Sequence, residues 1–107
     1  MNRCSTETRG AYTVVALAGE VDLSWSQQVR DSILAALKTA DHVAADMSAV
    51  AYIDSSGIAA LVEGFQAARG RGKDFVLLSV SQPALAVLRL ARLDKVFRIV
   101  ATLEEAG

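Results

Sequence analysis

Cysteine, histidine and proline each occur once in this chain of 107 residues. A lone thiol, Cys4, has no partner for an intrachain disulfide, which fits a reducing compartment. A lone His42 leaves no Cys/His/carboxylate cluster with metal-ligand spacing, so neither a metal nor another cofactor is expected. Excess charge of either sign is missing too. The formal net charge is −1, and no global field draws the chain to nucleic acid. Apolar runs such as Tyr12 to Ala18 fall far short of the roughly 20 residues that span a bilayer. The stretch Met1-Asn2-Arg3-Cys4-Ser5-Thr6-Glu7 lacks the apolar core of a signal peptide. These absences point to a soluble, cytoplasmic protein with no membrane span.

What is present can bury a core. Apolar residues make up 52% of the chain and charged residues 21%, a balance that argues against disorder. The length fits one domain over residues 1–107, large enough to fold without staples. No repeat or low-complexity segment divides it.

Periodicity gives alternating strands and helices. Thr13 to Ala18 is a β-branched apolar run, the mark of a buried strand ended by Gly19. Before it, Arg9-Gly10 reads as a hairpin turn and Asn2 to Thr8 as an edge strand. Ser24-Trp25-Ser26-Gln27 has capping-box spacing, and Val29, Ile33, Leu34 and Leu37 follow as one helix face. Trp25 reads as a packing residue at the helix start. His42 to Met47 is a second buried strand, ending among polar Asp46 and Ser48. Ile58, Leu61, Val62, Phe65 and Ala68 form a second helix face, stopped by Gly70 and Gly72. Phe75 to Val80 is a third buried strand. Ser81 then caps a helix with Pro83 in its first turn, whose face runs through Leu85, Leu88 and Ala91. Val96 to Val100 and a short helix from Thr102 complete the order ββαβαβαβα. The expected fold is α/β: a small mixed sheet, mainly parallel, with an antiparallel strand near the N-terminus and packed helices.

Asp54-Ser55-Ser56-Gly57 stands where a strand-and-loop segment gives way to the Ile58 helix. Its plain reading is a helix cap, since Asp and Ser oxygens bond the unpaired N–H groups of a first turn. Its functional reading adds phosphorylation, which a helix N-terminus tolerates through its dipole and free N–H groups. Catalysis is not indicated. A nucleophile elbow needs glycine two residues before the serine, but Ile53 and Asp54 stand there, and no catalytic residue is assigned. Gly70-Arg71-Gly72-Lys73 lacks the other residues of a phosphate-binding loop, and a strand follows where a helix is needed. It reads as a helix stop with Arg69, Arg71 and Lys73 solvated. Arg89, Arg92, Lys95 and Arg98 make the last third locally basic, either as an outer charged face or as a surface for an acidic partner or anionic lipid.

The run Tyr52-Ile53-Asp54-Ser55-Ser56-Gly57-Ile58-Ala59-Ala60-Leu61 resembles the signature of STAS-domain anti-sigma factor antagonists. So does Gly19-Glu20-Val21-Asp22. The stretch Leu90-Ala91-Arg92-Leu93-Asp94-Lys95-Val96-Phe97, followed by Thr102-Leu103-Glu104-Glu105-Ala106, resembles the family's C-terminal part. The resemblance implies a STAS fold and a non-enzymatic protein-binding switch in bacterial transcription regulation. It implies that Ser56 is phosphorylated by an anti-sigma factor with serine kinase activity. The unmodified form then binds that kinase and frees the sigma factor, and a phosphatase resets the modified form. Asp22, Asp54, Ser55, Ser56 and Gly57 would form the binding face, with Ser55 as the structural cap. STAS domains also serve as cytoplasmic accessory subunits docked on the ATPase of ABC-type lipid transporters. Those tend to carry Thr or Gly where this chain has Ser55-Ser56. A scaffold subunit in a signalling assembly is a third reading.

Overall fold

A computed structural model describes residues 2–106; Met1 and Gly107, which the expected domain span includes, lie outside them. The elements are β1 (Arg3–Arg9), β2 (Tyr12–Val21), α1 (Ser26–Thr39), β3 (His42–Ile53), α2 (Ser55–Gly70), β4 (Asp74–Leu78), α3 (Gln82–Leu90), β5 (Arg98–Val100) and α4 (Leu103–Ala106). That is the expected order. The strands form one sheet in the order β1-β2-β3-β4-β5. β1 pairs antiparallel with β2, and every later pairing is parallel. Each parallel step needs a crossover helix.

The apolar runs read as continuous because the strands are buried on both faces. Val15, Leu17, Val43, Ala45, Met47, Phe75 and Leu77 pack with Val29, Ile33 and Leu37 of α1, Leu61 of α2 and Leu88 of α3. Alternate residues Val14, Ala44, Val76 and Leu78 join Tyr12, Val100 and Ala106 of α4 in a smaller cluster on the other face. The Tyr12 hydroxyl donates to Asp74 Oδ2 at 2.7 Å and ties the β1–β2 hairpin to β4. Burial and that hydrogen bond push the Tyr12 phenol up to about 12.

Several expected boundaries move. Gly19 does not end β2. At φ 93° it bends the strand through a register shift, and pairing with β3 resumes at Glu20↔Tyr52 and Val21↔Ile53. β3 therefore runs six residues beyond Met47 to Ile53, over a stretch buried only at Val50 and Ile53. A three-residue spacing hides a strand from a search for alternation. The capping box is also corrected. α1 begins at Ser26, Trp25 stands at its N-cap without a side-chain cap bond, and the Ser24 hydroxyl donates to Asp22 instead. Trp25 is buried, as a packing residue should be. Ser81 does cap α3, accepting from the Ala84 N–H at 3.4 Å. That helix buries Ala84 and Leu88, while Ala91 is exposed. Val96 and Phe97 belong to a turn closed on the Leu93 carbonyl, so β5 starts only at Arg98. Lys73 is not solvated: half-buried, it donates to the Leu37 carbonyl near the end of α1, where a cation complements the helix dipole.

α1 and α2 approach closely because Gly64 has no side chain. A Cβ there would lie 2.6 Å from Ile33 Cγ2. Gly64→Ala should therefore lower stability in urea unfolding by about 1–2 kcal/mol, overpacking outweighing the helix-propensity gain. Gly70→Ala, whose Cβ meets nothing within 4 Å, should leave stability unchanged or raise it by about 0.5 kcal/mol.

Candidate functional site

In a sheet of parallel strands, loops at the carboxyl ends are where ligands and partners are usually met. β2 and β3 end side by side at Val21↔Ile53, so the loops beginning with Asp22 and Asp54 are neighbours. The Asp54 N–H donates to the Val21 carbonyl at 3.3 Å, fastening the second loop to the end of β2.

Asp54 is the N-cap of α2, correcting the expectation that Ser55 holds that place. Its Oδ1 accepts from the backbone N–H of Ser56 at 2.9 Å and of Gly57 at 3.2 Å. The same oxygen accepts from the Ser56 hydroxyl at 2.5 Å. Ser55 is exposed and Ser56 half-buried. The Ser56 hydroxyl bond holds the Asp54 carboxyl below its ordinary 3.8. Partial desolvation opposes that shift, while the backbone N–H groups of Gly57, Ser56 and Leu23 add to it. The charged form therefore wins by hydrogen bonding.

Gly57 is buried. A Cβ on it would fall 2.5 Å from the Val21 carbonyl oxygen and 2.7 Å from Ile53 Cγ1. Backbone that close leaves room for hydrogen alone, and this lets the first turn of α2 sit on the end of β2. Asp22 organises the other loop. Its Oδ1 accepts from the Ser24 N–H at 3.1 Å and the Ser24 hydroxyl at 2.6 Å. Its carbonyl accepts from the Trp25 and Ser26 N–H groups at 3.0 and 2.8 Å. Asp22, Asp54, Ser55, Ser56 and Gly57 are thus gathered at one end of the sheet.

Sequence reasoning missed part of this surface. Leu23, 79% exposed, stands in the Asp22 loop, and Tyr52, 49% exposed, lies near the end of β3. A large apolar residue outside any helical or strand period was the available signal. Beside Ser56, Ser26, Gln27, Arg30, Ala59 and Glu63 line an open groove of about 330 Å³ between α1 and α2. Arg30 Nη1 pairs with Glu63 Oε2 across it at 3.1 Å; no sequence spacing links two residues so far apart. His42 is elsewhere, at the opposite end of β3, its ring tilted against that of Tyr12 at 5.3 Å with Nδ1 3.5 Å from Asp74. Among the described residues no three His, Cys, Asp or Glu side chains group as a metal site needs, and no helix is long and apolar enough to cross a membrane.

Residues 4–102 match the family model described as "Mlab, STAS domain". Among solved structures, an anti-sigma-factor antagonist (STAS) domain protein from Planctomyces limnophilus is 26% identical. It superposes with a TM-score of 0.82, over 99% of this chain and 95% of that one. An anti-sigma factor antagonist from Mycobacterium paratuberculosis is 23% identical, with a TM-score of 0.87 over 99% and 91%. The Bacillus cell fate determinant SpoIIAA in its phosphorylated form is 22% identical, with a TM-score of 0.73 over 97% and 96%. The last two similarities speak for the fold.

The cap makes a pH-dependent prediction. Because the folded-state carboxyl titrates below its unfolded value, its stabilisation is complete above 3.8 and is lost as pH falls through the lowered value. Asp54→Asn keeps a capping oxygen that does not titrate. The urea midpoints of wild type and Asp54→Asn should therefore converge as pH falls below the carboxyl's ordinary 3.8. Asp54→Ala should cost about 1–2 kcal/mol at neutral pH. A wild-type advantage over Asp54→Asn that is constant with pH contradicts this assignment.

Proposed function

The chain belongs to the STAS domain family, and on that premise we propose that it is an anti-sigma factor antagonist switched by phosphorylation of Ser56. Acting as one unit over residues 1–107, it binds an anti-sigma factor with serine kinase activity and so frees the sigma factor. The observation that carries this reading is the bond from the Ser56 hydroxyl to Asp54 Oδ1 at the start of α2, beside the exposed Leu23 and Tyr52. The hydroxyl is part of the cap and lies at the rim of a contact surface, so modifying it changes both.

Transfer of the γ-phosphoryl group of ATP to Ser56 Oγ releases ADP and the hydroxyl proton, and Ser56 can no longer donate to Asp54. The group gained carries roughly −1.5 to −2 charges at pH 7. The fold tolerates it, because the Ser56 and Gly57 N–H groups still cap through Asp54 and the helix N-terminus favours anions. The partner surface does not. Enclosing the dianion and the Asp54 carboxylate together in an interface costs desolvation of both charges and strengthens the repulsion between them. About 1.4 kcal/mol of either weakens binding tenfold. Asp22 shapes the adjoining loop and contributes to the same face with Ser55, while Gly57 lets the helix start approach it. A phosphatase returns the hydroxyl and restores binding.

With the kinase partner and ATP, mass spectrometry should find one added phosphate, at Ser56. Ser56→Ala should stay bound to the kinase in ATP, where wild type is released. Phosphate elsewhere, or none, contradicts the assignment of Ser56. Recovery of a permease and its ATPase, with no kinase, from cells carrying tagged protein would instead favour a transporter subunit.

A further inference from the structure

The two ends of the molecule differ in sign. β2 and β3 finish together, which puts Glu20, Asp22 and Asp54 at one end. α2 and α3 run back from that end and finish at the other. There Arg69, Arg71, Lys73, Arg89, Arg92 and Lys95 outnumber Asp41, Asp74 and Asp94. Asp74 is already engaged by Tyr12, His42 and Arg98. A net charge of −1 therefore conceals a dipole.

The basic end carries two exposed apolar residues, Leu90 at the last position of α3 and Val96 in the turn before β5. Leu90 is 85% exposed and Val96 48%. Arg89, Arg92 and Lys95 beside them are exposed, and among the described residues none of the three has an ion-pair partner. Backbone hydrogen bonds close the turn that follows α3. The Leu93 N–H donates to the Leu88 carbonyl at 2.8 Å and the Arg92 N–H to the Arg89 carbonyl at 3.0 Å, the two bonds of a Schellman end. Leu93 packs on the main core beneath it. Arg92 takes φ 59° there, a conformation that glycine adopts without strain and arginine does not. A charged side chain thus occupies the position where local stability prefers none.

We propose that this end is a docking face for an anionic lipid surface. Leu90 and Val96 enter the headgroup boundary while Arg89, Arg92 and Lys95 meet lipid phosphates. A side chain as exposed as Leu90 protrudes, and a bilayer receives it without a matching pocket, which a protein partner would have to supply. Long Arg and Lys stems beside an apolar tip suit the bilayer boundary. Docked in this way, the acidic end with Ser56 points away from the anionic surface and stays open. Nothing in this docking depends on what binds at Ser56.

The test is co-sedimentation of the full chain with vesicles of phosphatidylcholine containing phosphatidylglycerol, against phosphatidylcholine alone. Binding should require the anionic lipid and be largely lost in about 1 M salt. Each cation near such a surface contributes about fivefold, so Arg89→Gln/Arg92→Gln/Lys95→Gln should weaken binding on the order of 100-fold. Leu90→Ser should weaken it about tenfold. Arg92→Gly separates this role from a structural one: it should keep or raise the thermal midpoint while binding vesicles about fivefold more weakly. No binding to the anionic vesicles overturns the proposal. So does equally tight binding to soluble polyglutamate that Leu90→Ser leaves unchanged, which would point to an acidic protein partner.

Discussion

The carboxylate of Asp54 is the group on which the arrangement of this end of the molecule depends. A helix start leaves N–H groups without partners, and one oxygen of Asp54 takes two of them together with the Ser56 hydroxyl. Its own N–H returns to the Val21 carbonyl. The same residue therefore ends β3, begins α2 and fastens both to β2. Gly57 completes the junction, because any side chain there would collide with the Val21 carbonyl. Without this close approach, the Asp22 loop and the Ser56 hydroxyl would not share a surface.

The parallel sheet explains why that surface is separate from the rest. Successive parallel strands with helical crossovers place every strand end on one side and every helix end on the other. The acidic residues Glu20, Asp22 and Asp54 fall on the first side, and the basic turn after α3 falls on the second. The proposed switch needs a position where charge can be added without unfolding the chain. A capped helix start at the edge of a two-sided core meets that need, since Ser56 is half-buried while Ile58 and Leu61, one turn on, are buried. Physical separation also lets the basic end take its own ligand independently.

The order of elements was legible in the sequence because buried parallel strands and amphipathic helices leave unlike periodicities. Residues that obey a local rule were placed well: Ser81 as a cap, and Val29, Ile33 and Leu37 as a buried face. Residues governed by a distant partner were not. The far half of β3 looks irregular because its pairing with β2 shifts register around Gly19, and an isolated glycine in a strand reads equally as a strand end and as such a bulge. Ser24 and Gln27 have capping-box spacing, yet Asp22 takes the Ser24 hydroxyl first. Asp54-Ser55-Ser56-Gly57 was legible as a cap, but which residue caps is decided by Asp54's anchorage on Val21. Leu23, Arg30 and Glu63 entered the site only through the packing of α1 and its preceding loop against α2.

A phosphate on Ser56 should change what the surface binds while leaving the fold intact. Calorimetric titration of the kinase partner with unmodified and Ser56-phosphorylated protein, alongside their thermal midpoints, measures both. The phosphorylated form should bind at least about tenfold more weakly, with midpoints that agree within a few degrees. Equal affinity of the two forms, or weaker binding accompanied by loss of the folded state, would contradict it.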